Sequence, residues 1–104
     1  MSAYAIVRQA IIAKQTVVAT YKGHRREMCP HVIGTKEGEP HALFYQFGGG
    51  SSTGLAADGS PENWRCIRIA ELSNVTTYSG PWHTAHRHTQ RQVCVDQIDV
   101  EVAR

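Results

Sequence analysis

The chain has 104 residues, 41% of them hydrophobic and 19% charged, with a formal net charge of +2. That balance excludes a chain kept unfolded by its own charge, and the length allows one core rather than two. The slight positive charge is far from a duplex-DNA face, no apolar run reaches the roughly 18 to 20 residues that span a bilayer, and Met1-Ser2-Ala3-Tyr4 lacks the basic start of an export signal, so the expectation is one cytoplasmic domain over 1–104 with no membrane contact.

In chain order, Ser2 is a plausible N-cap, and Tyr4, Val7, Ala10 and Ile11 fall on one face of a 3.6-residue period, which predicts an amphipathic helix at about 3–13. Lys14 suits its C-terminal end, and the β-branched run Thr16-Val17-Val18 turns the chain extended. Gln15 to Tyr21 reads as a strand, Lys22-Gly23-His24 as a tight turn, and Arg25 to Ile33 as a second strand bent at Pro30. Gly34 to Pro40 is the next predicted turn, and Ala42 to Phe47 an apolar, aromatic third strand. Gly48 to Glu62 is a glycine- and serine-rich connection, longer than most strand joints and therefore expected to be a flexible loop. Asn63 to Ile69 and Asn74 to Tyr78 follow as strands. Pro81 to Gln92 is polar and histidine-rich, and Val95 to Val102 alternates as a half-buried closing strand.

This order predicts a mainly β (α+β) domain with one N-terminal helix and five or six strands. The three cysteines, Cys29, Cys66 and Cys94, are odd in number and widely spaced, without a Cys-x-x-Cys. They are expected to be buried free thiols rather than a disulfide framework.

Several of these features stand in a familiar succession: Ala10-Ile11 at the helix end, Tyr21 at the strand end, Gly23, Arg25 or Arg26, Pro30, Leu43 and Tyr45. The succession closes with Arg65-x-Ile67-x-Ile69-x-x-Leu72-x-x-Val75. Together they resemble the WYL domain, an Sm-like small barrel of bacterial regulators, over about Ala5 to Val75. The sequence departs from that pattern at His41-Ala42-Leu43, where the naming Trp-Tyr-Leu would fall, and at Glu71, where a basic residue is common. It also lacks the helix-turn-helix segment that usually precedes the domain. The resemblance implies a partly open, Sm-like small barrel that senses a ligand, in some relatives a nucleotide or single-stranded nucleic acid.

Strand alternation in 63–69 puts Arg65 on one face with Ile67 and Ile69, and Trp64 on the other with Cys66 and Arg68. One face must therefore half-bury a guanidinium, which is costly unless a carboxylate or an anionic ligand pairs with it. Inside the protein Glu71, Asp96 and Asp99 are the carboxylates on offer. Arg25 and Arg26 lie just past a hairpin turn. With Arg65 as anion contacts, and with Tyr21, Tyr45 and Trp64 as stacking surfaces, they form the candidate ligand-binding set, the combination by which single-strand sites work without sequence preference. The expected function is a stand-alone, non-catalytic binding or sensing module that needs no cofactor. Its partner would be a small anionic ligand or single-stranded nucleic acid.

Two alternatives remain open at this stage. One is an interaction domain without a small ligand, working through an exposed edge strand and the glycine loop, as a homodimer or with a partner protein in trans. The other is a zinc protein using His83, His86, His88 and Cys94, although their spacing matches no standard finger. Gly48-Gly49-Gly50-Ser51-Ser52 could form an anion-binding nest but lacks a P-loop ending, and nothing beside Cys94 and His88 supplies an oxyanion hole, so no enzyme activity is expected.

Overall fold

Helix α1 (Ala3–Ala13) starts where Ser2 Oγ accepts the Ala5 N–H at 3.1 Å, and it stops where Lys14 turns left-handed at φ 57°, so that the Gln15 N–H reaches the Ala10 carbonyl at 2.8 Å. Its buried residues are Val7, Ala10 and Ile11, the face the periodicity marks. The computed structural model describes residues 2–51, 54–85 and 93–103.

Among the described residues there are six strands: β1 (Thr16–Tyr21), β2 (His24–Lys36), β3 (Glu39–Gly49), β4 (Trp64–Arg68), β5 (Ser73–Tyr78) and β6 (Gln97–Glu101). They form one antiparallel, partly open sheet in the order β4-β3-β2-β1-β5, with β6 paired to β2 outside this path. Both hairpins that start the sheet use two-residue turns whose central residues are left-handed: Lys22 and Gly23 at φ 50° and 79°, Glu37 and Gly38 at φ 52° and 83°. That handedness matches the twist of the strands the turns join.

Strand β2 explains how one strand serves three neighbours. Its first half pairs β1 up to Met28, its second half pairs β6 from Val32 onward, and β3 runs beside both. Pro30 lies at the change of partner, next to a break in register between Pro30 and Val32. A residue with no N–H removes no ladder bond on an edge that has no partner there, so the bend falls where proline costs least.

The inner face of the sheet carries the larger core, in which Val17, Ala19, Met28, Ile33, Ala42, Phe44 and Ile67 pack against Val7, Ala10 and Ile11 of α1. On the outer face Val32, Leu43, Cys94 and Val95 form a smaller cluster with Trp64 against it.

Four expectations are corrected. The turn expected over 34–40 is shorter, since β2 runs on to Lys36 and only Glu37-Gly38 turns the chain. Gly34 serves a different purpose: a Cβ there would run into the Gln97 carbonyl and the Val95 side chain, so the glycine lets β6 approach. Strand β3 is correspondingly longer than 42–47 and takes in Gly48 and Gly49 of the glycine run. The closing strand is shorter than 95–102, and while Val100 and Val102 pack on the core, Ile98 is 50% exposed. Finally, Cys66 and Cys94 are joined in a disulfide with Cα atoms 5.6 Å apart, leaving only Cys29 as a buried free thiol. The spacing of the two cysteines along the chain hides their meeting. Strand β4 and the stretch leading into β6 are neighbours because both lie against the β2–β3 hairpin.

Candidate anion-binding site

The register of β3 with its neighbours sets up the site. Phe44 faces Arg65 across the β3–β4 ladder, and Ala19 faces Arg26 across β1–β2. Phe44 and Ala19 belong to the inner core, so both arginines sit on the inner face. Two residues beyond Phe44, Gln46 keeps to that face by period-two alternation and is fully buried.

Gln46 is the hub. Its Oε1 accepts from Arg26 Nη1 at 3.3 Å and from Arg65 Nε at 3.2 Å, while its Nε2 donates to the Gly48 and Gly50 carbonyls, both at 2.9 Å. Arg26 also gives its Nε–H to the Tyr21 carbonyl at 3.3 Å and lays its guanidinium 4.8 Å from the centre of the Tyr21 ring. Arg65 donates from Nη1 to the Glu62 carbonyl at 2.7 Å and to its own neighbour Trp64 at 3.2 Å. Every one of these acceptors is neutral.

Among the described residues neither guanidinium has a carboxylate partner. Arg26 is 3% exposed, and burial followed by the Arg65 charge pulls its guanidinium below the ordinary value. Two like charges thus share one amide oxygen in a partly desolvated place, which carbonyl dipoles offset only in part. Arg65 is half-buried and is the more accessible of the two.

Of the residues named from sequence, the structure brings together Tyr21, Arg26 and Arg65. Arg25 is elsewhere: its exposed side chain pairs with Glu27 at 3.2 Å. Tyr45 and Trp64 lie on the outer face, a correction to the single patch expected, because alternation along β3 and β4 sends them opposite to Phe44 and Arg65. Tyr45 is fully buried, donates its hydroxyl to the Ser60 carbonyl at 2.8 Å and meets the Trp64 ring edge-on at 5.1 Å. Trp64 in turn faces His31, which is also 4.9 Å from Trp82.

The zinc set loses a member to the disulfide, since Cys94 is bonded to Cys66. His83 hydrogen-bonds the Asp58 carboxylate at 3.1 Å and stacks on Phe47 at 3.9 Å; His86 and His88 lie outside the described residues. Comparison with family models, curated proteins and solved structures found no match for this chain.

Gln46 was not singled out from the sequence, yet a signal was there. In Ala42-Leu43-Phe44-Tyr45-Gln46-Phe47 it is the one strongly polar residue of an apolar strand, on the same parity as Ala42 and Phe44. A buried polar side chain is the informative exception in such a run.

Proposed function

We propose that this chain is a non-catalytic binding module whose ligand is an anion held by Arg65 and Arg26 beside the ring of Tyr21. The observation that carries this reading is the pairing of two inward-facing guanidinium groups on a single neutral acceptor, Gln46 Oε1. A phosphate or carboxylate reaching Arg65 would supply the negative charge the pair lacks, through bonds that suit the planar fork of arginine. The Tyr21 ring beside the cations favours a ligand with a flat face, which makes nucleotides and short single strands the first classes to try.

In this reading the helix and the partly open sheet are a WYL-like, Sm-type small barrel. The bend of β2, which sets β1 and β6 along the same edge, is the feature that favours curvature of that kind. Among the described residues no helix is long and apolar enough to cross a membrane, and a cytoplasmic setting is part of the proposal. In such a reducing setting the Cys66–Cys94 bond would have to be transient or redox-responsive rather than a permanent staple.

An amide chemical-shift titration with adenosine monophosphate and with short single-stranded oligonucleotides tests the reading. Shifts centred on Tyr21, Arg26, Gln46, Gly48 and Arg65 are expected. Shifts confined to the outer-face aromatics, or none, would refute it.

A further inference from the structure

The disulfide is unequal toward solvent. Cys66 is exposed on the edge strand β4, whereas Cys94 is buried with Val32, Leu43 and Val95. The exposed member also lines a cleft of about 380 Å3, whose charged walls are Lys36, Glu37, Glu39, Arg68 and Glu71. Arg68 is occupied by Glu39 at 2.9 Å, and Lys36 donates to the Val93 carbonyl at 3.0 Å. Three carboxylates therefore face two cations, and Glu37 and Glu71 have no ion pair among the described residues.

We propose that this cleft is a thiol–disulfide exchange site, in which a low-molecular-weight aminothiol attacks Cys66. It shares only Tyr21 with the anion site, and none of the arginines proposed there lines it. Exchange needs a sulfur that an incoming thiolate can reach, and access decides which of the two sulfurs is attacked. Only Cys66 offers that access. The thiolate forms a bond to Cys66 Sγ as the Cys66–Cys94 bond breaks; the electron pair leaves on Cys94, which takes a proton from the medium. A second aminothiol then attacks the mixed disulfide, releasing Cys66 as a thiol and the aminothiol as its own oxidised dimer. The surplus of carboxylates in the cleft selects a thiol that carries an ammonium group over one that carries a carboxylate.

The reaction is built to run backward as well. The stretch around Cys94 is held by contacts that do not depend on the bond. Lys36 donates to the Val93 carbonyl at 3.0 Å, the Asp96 N–H reaches the Thr35 carbonyl at 2.9 Å, and the Asp96 carboxylate accepts the Glu37 N–H at 3.0 Å. Cys94 therefore stays next to Cys66: when the oxidised aminothiol dimer is in excess, the Cys66 thiolate attacks it and releases one aminothiol, and the Cys94 thiolate then attacks Cys66 Sγ and releases the second, restoring the bond.

The test uses the oxidised full-length chain with cysteamine and with mercaptoacetate, at equal thiolate concentration and low salt. Each rate is divided by that of the same thiol on neutral hydroxyethyl disulfide, and samples are acid-quenched for peptide mapping. The expected result is a cysteamine adduct on Cys66 alone, formed roughly threefold or more faster than the mercaptoacetate adduct, as a short-range charge contact in water allows. Glu71→Gln should narrow that ratio while leaving the adduct on Cys66. An adduct on Cys94, a normalised preference absent or reversed, or reduction only after denaturant is added would each overturn the proposal.

Discussion

Gln46 has two tasks that pull in the same direction. Its oxygen separates two guanidinium groups, and its nitrogen ties down the carbonyls of the glycine run. Gln46→Leu leaves both arginines without their shared acceptor, and loss of about 3 kcal/mol of stability is expected, from the cost of buried charged donors left unsatisfied. Denaturant unfolding measures it. Arg65→Met should behave in the opposite way, because it removes one of two like charges and keeps the apolar stem against Phe44. Stability unchanged or raised by up to about 1 kcal/mol, with anion binding lost, is the outcome expected of a residue kept for a ligand. A marked destabilisation by Arg65→Met would assign Arg65 to the scaffold instead. At this scale the sequence exposes the arginine problem clearly, since alternation around Arg65 forces a guanidinium inward whichever face is buried. It does not say which arginines meet. That depends on the β1–β2 and β3–β4 registers, which bring Arg26 and Arg65 to one amide while sending Tyr45 and Trp64 to the opposite face.

Among the elements, α1 is fixed to β6 through Asp99, which accepts from the Tyr4 hydroxyl at 2.6 Å and from Arg8 Nε at 3.2 Å. Burial and then the Asp99 hydrogen bond push the Tyr4 phenol up to about 12 from 10.0. The folded phenol holds its proton longer than the unfolded one, so the contact is fully stabilising below pH 10.0 and is lost as pH climbs through about 12. Asp99 is pulled the other way, below the usual carboxylate range, chiefly by the same hydrogen bond, so its share is present at neutral pH and lost as pH falls through its lowered value. A phenolate absorbance titration should show two tyrosines ionising late, Tyr4 at about 12 and Tyr78, which burial and the Glu27 charge push up, and Tyr4→Phe should remove the phase at about 12. Persistence of the phase in the variant would mean that another phenol carries it. Helix α1 and the first hairpin are legible because their signals are local: a cap, a period, a two-residue turn. The Gly34 approach and the true length of β2 are not, because the residues that demand them, Val95 and Gln97, are far along the chain. Gly34→Ala should cost more than about 2 kcal/mol by forcing β6 away, an overpacking penalty with no flexible side chain able to yield at the Gln97 carbonyl. Hydrogen exchange would show the loss as reduced protection in β6.

For the whole molecule, the disulfide and the anion site make separate claims. Cross-linking residues 28 apart restricts the unfolded chain, and opening the bond should lower stability by about 3.5 kcal/mol on the loop-entropy account. Unfolding curves with and without reductant give that difference directly, and identical curves would contradict a formed cross-link. The odd cysteine count conceals this bond, because pairing is set by which strands the sheet makes neighbours and not by spacing. The anion site belongs to the whole molecule too, since it is assembled from four strands and its energetic logic is linkage: an anion that binds only the folded form raises stability with concentration. The most direct measurement is the unfolding midpoint of the wild type and of Arg65→Met in pyrophosphate and in chloride at matched ionic strength. A midpoint that rises with pyrophosphate in the wild type and stays fixed in the variant is the predicted result; no rise, or the same rise in both proteins, would contradict it.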